Sequence, residues 1–102
     1  MEEPDKKVRV PQEGVLVPIE DTVISSEARK VLSWNDVTEA LRRHSSGDWG
    51  EAWEERKREN DDALHEKGRI FSVYQSSRSV RFCVISDPGW RVTRVVLVGE
   101  EE

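Results

Sequence analysis

The apolar spacing changes at Arg69, and this change constrains the fold more than any other feature of the sequence. From there on, β-branched and aromatic side chains recur with a period of two in three runs, RIFSVYQ, VRFCVIS and RVTRVVLV. The segments SSRS and DPGW separate these runs, and both compositions are typical of turns. Three such runs predict a three-stranded antiparallel meander in which Val80, Phe82 and Val84 share one face.

Two helices are predicted ahead of the strands, each begun by a serine. In SSEARKVL, which spans residues 25–32, either serine can cap a short helix. The next helix begins after Ser33, and Asp36 three residues later approximates a capping box. We expect this helix to end near Arg43 or His44, because two serines and a glycine follow and continue a helix poorly.

A longer helix is predicted from about Glu51 to Lys67. Asp48 is the expected N-cap, and Gly68 is the expected stop just beyond the last turn. Helical spacing places one set of residues on the buried face of this helix: Trp49, Ala52, Trp53, Asn60, Ala63 and Leu64.

These elements predict an α+β fold in which two or three N-terminal helices pack on the C-terminal meander. The segment GVLVPI suits an extra edge strand or an extended segment, because Pro18 has no N–H to donate to a ladder. We expect one domain over residues 14–98, preceded by a flexible tail at 1–13 and followed by an acidic tail at 99–102.

Charge and cysteine content restrict the classes of function. The 102 residues carry a net charge of −5, yet residues 69–98 contain five arginines and a single aspartate. A lone cysteine, Cys83, excludes an intramolecular disulfide and a zinc site of several cysteines. The N-terminus lacks the apolar stretch of a signal peptide, and no apolar run is long enough to cross a bilayer. We therefore expect a cytoplasmic protein without a membrane partner.

The stretch RRHSSGDWG, residues 42–50, combines residue types that are found in catalytic triads. However, its histidine, serines and aspartate all lie in one loop, whereas triad members usually come from separate elements. The two histidines of the chain also lack the spacing of metal ligands. We therefore expect a corner between helices, in which Asp48 caps the next helix and Trp49 fills the corner. No catalytic residue, metal ligand or cofactor is predicted.

Other polar residues are candidates for binding. Asn60 lies on the apolar stripe of the long helix, so its amide needs a buried partner, which we expect in the loop from His44 to Trp49. The strands combine arginines and aromatic residues, as platforms for single-stranded nucleic acid do: Arg69, Tyr74, Arg81, Phe82, Trp90 and Arg94. The absence of lysine from the strands and the negative net charge argue against nucleic acid as the partner.

The spaced residues of this region resemble those of a family of small, uncharacterised bacterial proteins from plasmids, phages and other mobile elements. The shared pattern is R-H-x-x-G-D-W-G, then a helical Asn, then G-R-x-x-S-x-Y, and it covers about residues 37–98. The turn SDPGWR departs from the pattern, which leaves the role of that turn open. The matching positions are Arg43, His44, Gly47, Asp48, Trp49, Gly50, Asn60, Gly68, Arg69, Ser72, Tyr74, Arg91 and Thr93.

These observations together predict a non-enzymatic accessory or protein-interaction domain of a mobile genetic element, whose partner is a host or mobile-element protein. The alternative is a nucleic-acid binding protein, or an antagonist of a host nucleic-acid enzyme that imitates phosphates with helix carboxylates. Apolar residues such as Cys83 and Ile85 occupy the second face of the sheet as well, so that face needs a cover from the segment GVLVPI, a second subunit or a partner. Of these we expect a second subunit, in a symmetric homodimer. The candidate binding residues are His44, Asp48, Trp49, Asn60, Arg69, Tyr74 and Arg91.

Overall fold

The computed structural model describes residues 15–100. The tail predicted at residues 1–13 lies outside these residues, as do positions 101 and 102 of the predicted acidic tail. The elements in chain order are β1 (Asp21–Ile24), α1 (Ser26–Val31), α2 (Trp34–Ser45), α3 (Glu54–Ala63) with a 3-10 turn (Leu64–Glu66), β2 (Ile70–Gln75), β3 (Arg81–Ser86) and β4 (Val92–Leu97).

The four strands form one mixed sheet in the order β1-β4-β3-β2. Strands β2, β3 and β4 are antiparallel neighbours, so the predicted meander is confirmed. An additional edge strand exists, but it is β1, which lies after GVLVPI and runs parallel to β4. The earlier segment does not join the sheet, because the N–H groups of Leu16 and Val17 both donate to the carbonyl of Ser45.

The predicted starts of the first two helices are confirmed. The Ser25 hydroxyl accepts the N–H of Ala28 at 3.0 Å, and the Ser33 hydroxyl accepts the N–H of Asp36 at 3.0 Å. Each bond satisfies a donor that a helix leaves unpaired in its first turn. Helix α2 continues to Ser45, slightly beyond its predicted end.

The predicted start of α3 at Glu51, with Asp48 as its cap, is wrong. The helix begins at Glu54 after Trp53, which makes no side-chain cap. The preceding backbone lies along β2 instead: the carbonyl of Trp49 accepts the N–H of Val73, and the N–H of Glu51 donates to the carbonyl of Val73. Gly50 has a φ of 67° and Trp53 is extended with a ψ of 165°, so the backbone is not helical before Glu54.

Helices lie over both faces of the sheet. On one face, α2 contributes to a cluster with residues of the three antiparallel strands: Val37, Ala40, Tyr74, Phe82, Val84 and Val95. On the other face, the α3 residue Arg56 lies over the ring of Phe71. Cys83 and Ile85, whose side chains also point to this second face, are fully buried. The apolar surface on which the homodimer was predicted is therefore not exposed.

Candidate functional site

His44, in the last turn of α2, is buried at the centre of a chain of hydroxyl groups. Its Nδ1 lies 2.8 Å from the Ser72 hydroxyl, and its Nε2 lies 2.9 Å from the Ser86 hydroxyl. The Ser86 hydroxyl continues the chain to the Thr93 hydroxyl at 2.9 Å. The four side chains are fully buried and join α2 to β2, β3 and β4.

The protonation state of His44 follows from this position. Burial lowers the pKa of His44 to about 4, so the imidazole is neutral near pH 7. A neutral imidazole has one N–H donor and one acceptor nitrogen, and each finds a hydroxyl here. A serine nucleophile has to contact its substrate, whereas Ser72 and Ser86 are sealed from solvent. The arrangement is suited to holding α2 on the sheet.

Asp48 and Tyr74 fix the loop that follows α2. The Asp48 carboxylate accepts two hydrogen bonds from Arg43, at 2.7 and 3.3 Å, and these bonds hold its pKa below the usual range. It also accepts the N–H of Gly50. The Tyr74 hydroxyl donates to the Asp48 carbonyl at 2.7 Å, and burial raises the pKa of this tyrosine. Asp48 therefore organises its own loop and does not cap α3.

Asn60 is buried as predicted, but its partner is a strand. Its side-chain amide donates to the carbonyl of Phe71 at 2.8 Å, and its side-chain oxygen accepts the N–H of Phe71 at 3.0 Å. The expected bond to the loop from His44 to Trp49 is not formed. Trp49 instead donates its indole N–H to Asp61 at 3.0 Å and contacts the edge of the His44 ring.

The last two candidates, Arg69 and Arg91, are exposed at the beginnings of β2 and β4. Arg69 lies 5.3 Å from the centre of the Phe71 ring, and Arg56 lies 4.8 Å from the same centre. Since β3 separates β2 from β4, the two candidate arginines do not converge on one position. Five of the seven candidates therefore belong to the internal hydrogen-bonded framework, whereas Arg69 and Arg91 are surface cations.

Two surface tryptophans were missed by the sequence analysis. Trp34 is 70% exposed and Trp53 is 60% exposed, although helical spacing placed Trp53 on a buried stripe. The spacing of Trp34, Val37 and Leu41 predicts one apolar stripe on α2, and this prediction is wrong for Trp34, since Val37 is buried and Trp34 is exposed.

A surface depression of about 240 Å³ is lined in part by Ser33, the residue that precedes Trp34. It is bounded by the end of α1, the beginning of α2 and the turn between β2 and β3. The Asp36 carboxylate closes one side by accepting the backbone N–H and the hydroxyl of Ser77, both at 3.1 Å. The lining residues are Lys30, Val31, Leu32, Ser33, Asp36, Ser77 and Arg78.

Residues 15–100 were also compared with the requirements of a metal-binding cluster and of a membrane-spanning helix. Within this range, histidine, cysteine and carboxylate side chains form no group of three that could hold a metal ion. None of the helices in the same range is long and apolar enough to cross a membrane.

No known protein family, curated protein or solved structure matches this chain.

Proposed function

We propose that this protein is a non-enzymatic protein-interaction domain that binds its partner through the surface around Trp34. The observation that carries this proposal is the 70% exposure of Trp34, which directly follows Ser33, a residue that lines the depression at the end of α1. Tryptophan is enriched among the residues that dominate binding energy in protein interfaces. The Trp34 indole contributes little to the core, so its exposure is best explained by burial against a partner protein.

The internal use of the polar candidates supports a non-enzymatic role. His44 has both ring nitrogens bonded to hydroxyls, and Asn60 uses its amide to bind the β2 backbone. Tyr74 donates to a loop carbonyl. His44 and Asn60 are fully buried, and Tyr74 is almost so.

The origin of the chain in a mobile genetic element is part of this proposal and is motivated by the residue pattern over residues 37–98 alone, since no family model matches the chain. The partner we propose is accordingly a protein of the host or of the mobile element itself. The exposed tryptophan and the resemblance are independent of each other, so the binding surface can be tested without knowing the origin of the chain.

The proposal is tested by comparing two single-tryptophan variants of the full-length protein. Wild type, Trp34→Ala and Trp53→Ala would be immobilised, exposed to bacterial lysate, and the retained proteins quantified by mass spectrometry. Each variant removes one exposed indole, so Trp53→Ala is the matched control. We expect a protein that wild type and Trp53→Ala retain and Trp34→Ala loses. Equal retention by all three would contradict the proposal, provided that their melting temperatures agree.

Nucleic-acid binding is a second candidate because of the cluster on β2. The ring of Phe71 has the guanidinium groups of Arg56 and Arg69 within 5.3 Å, and the exposed ring of Trp53 lies 5.6 Å from Arg56. Exposed aromatic and guanidinium groups bind bases and phosphates of single strands. The pairing of Arg56 with Glu59 at 3.2 Å weakens this candidate.

The nucleic-acid candidate predicts a salt-dependent affinity for labelled oligothymidylate that Trp53→Ala and Arg69→Gln both reduce. Phosphate imitation by α3 receives less support, because its carboxylates alternate with cations in pairs such as Glu54 with Lys57. Anisotropy of the labelled oligonucleotide measures the affinity. No binding at low salt would remove this candidate.

A further inference from the structure

The depression at the end of α1 has the size of one large side chain and a partly apolar lining. Its volume is about 240 Å³, and Val31 and Leu32 supply its aliphatic groups. Val31 is exposed, so the depression is accessible from solvent. A partner that buried an aliphatic or aromatic side chain here would remove apolar surface of both molecules from water.

The charge that the depression offers to a partner is positive. Asp36, its only acidic lining residue, already accepts two hydrogen bonds from Ser77. Burial alone would raise the pKa of Asp36, but the hydrogen bonds from Ser77 and Ser33 outweigh it and lower the pKa. The carboxylate therefore stays ionised and engaged with its own chain.

The two cations of the depression are available to a partner. The guanidinium of Arg78 makes no hydrogen bond or ion pair within residues 15–100. Lys30 contacts Glu27 at 3.4 Å, but both side chains are more than half exposed, so this pair is weak. A cationic rim on a chain of net charge −5 selects for a partner segment that is locally acidic.

The backbone around the depression indicates whether the partner's carboxylate comes from a side chain or from a chain terminus. Capture of a chain terminus usually relies on a nest of free backbone N–H groups. Here the N–H of Asp36 donates to Ser33, and the N–H of Ser77 donates to Asp36. These two N–H groups are not available to a partner, so we assign recognition of an aspartate or glutamate to the side chains of Lys30 and Arg78.

We propose that this depression binds an acidic segment of a partner protein, which inserts one large apolar side chain and places a flanking carboxylate at Lys30 and Arg78. This inference rests on the proposed protein-interaction function and specifies the chemistry of the partner. Because Trp34 directly follows the lining residue Ser33 and is exposed, the proposal includes contact of its indole with the same segment.

The test uses two tripeptide probes that have the same shape and differ in charge. Acetyl-Asp-Phe-Asp-amide and acetyl-Asn-Phe-Asn-amide would be titrated at low salt into the full-length, ¹⁵N-labelled protein, with chemical shifts recorded. We expect shift changes at residues 30–36 and 77–78 and at the Trp34 indole. The acidic probe should bind roughly threefold to fivefold more tightly than the neutral one, which is the range of one or two exposed ion pairs.

Two variants with the same substitution provide the control. Arg78→Gln should remove most of the preference for the acidic probe. Arg42→Gln should preserve it, because Arg42 is an exposed arginine that pairs with Glu39 and does not line the depression. Equal affinity for the two probes, shifts elsewhere on the surface, or equal effects of the two substitutions would each overturn the inference.

The peptide titration and the lysate experiment can fail independently of each other. If a lysate protein requires Trp34 but the acidic probe shows no preference, the interaction surface stands and the acidic partner segment is wrong. If the probe binds as expected but no lysate protein depends on Trp34, the depression recognises this chemistry while the proposed function fails.

Discussion

At the scale of single residues, the burial of His44 makes stability depend on pH. The unfolded chain binds a proton at this histidine with a pKa near 6.5, whereas the folded chain binds it only near pH 4. Between these values the unfolded state holds more protons, so stability falls as the pH is lowered from 6.5 towards 4. We expect the contribution of His44 to this loss to reach about 3 kcal/mol.

Urea unfolding at pH 7, 6 and 5 would measure this dependence. His44→Gln should show a shallower decline than wild type, while the exposed His65 provides the control, since His65→Gln should leave the slope unchanged. If His44→Gln does not fold, an NMR titration of the wild-type protein can measure the pKa of the His44 ring directly. A His44 ring that titrated near pH 6.5 would show that the burial argument is wrong.

Asp48 gives a second prediction at the residue scale. Because its carboxylate binds Arg43 and the N–H of Gly50, and not the first turn of α3, Asp48→Ala should cost about 1 kcal/mol without shortening α3. The ion pair is partly exposed, which keeps the cost small. Denaturant unfolding gives the cost, and backbone chemical shifts report the helix. Loss of helical shifts at residues 54–57 would instead restore the cap interpretation.

At the scale of elements, Asn60 closes the outer edge of β2. Its amide pairs with both backbone groups of Phe71, and the segment from Trp49 to Glu51 pairs with both backbone groups of Val73. Asn60→Leu would leave the Phe71 groups buried and unpaired, so we expect a loss of roughly 1–3 kcal/mol. Asn60→Asp should also be destabilising: its carboxylate could still accept the N–H of Phe71, but its second oxygen would face the Phe71 carbonyl, acceptor against acceptor, at a buried site.

Amide hydrogen exchange distinguishes this edge role from a general packing effect. In Asn60→Leu the amide of Phe71 should exchange faster, while the amides that bond to β3 keep their relative protection. Unchanged protection at Phe71, or a higher melting temperature, would mean that Asn60 is not the edge clamp.

Gly50 explains why the sequence misplaced the start of α3. The spacing of Trp49, Ala52 and Trp53 imitates a helix, but Gly50 has a φ of 67° and a Cβ there would overlap the carbonyl oxygen of Val73. The contact that decides the conformation comes from β2, more than twenty residues later, so local periodicity could not show it. The capped starts of α1 and α2 were predictable because their bonds span only three residues.

The close approach at Gly50 predicts that alanine costs more stability there than at Gly89, although both glycines have positive φ. Gly89 has a φ of 90°, and a methyl group added at its Cα would meet nothing within 4 Å, so Gly89→Ala should cost only about 1–2 kcal/mol for the left-handed backbone. Gly50→Ala adds the overlap with Val73 and should cost more than Gly89→Ala. Thermal unfolding of both variants checks the order, and equal costs would contradict the close approach.

At the scale of the whole molecule, the candidate site was harder to predict than the fold. Alternation in the strands identified the meander, because a period of two is a property of the sequence. The exposure of Trp34 was not predictable in this way, because periodicity tells which residues share a face and not whether another element lies beneath each of them. The hydroxyl chain around His44 combines four separate elements, and none of its spacings is local.

The burial of the second sheet face leads to the last prediction, which concerns association. Cys83 is fully buried within a single chain, and the outer edge of β2 is closed, so two routes to self-association are absent from residues 15–100. The net charge of −5 also opposes contact between copies. We therefore expect a monomer in sedimentation equilibrium at high micromolar concentration, with Cys83 reacting slowly with a thiol reagent at every protein concentration. If the face were covered only in a dimer, dilution would expose Cys83 and accelerate the reaction, and the sedimentation mass would double at high concentration.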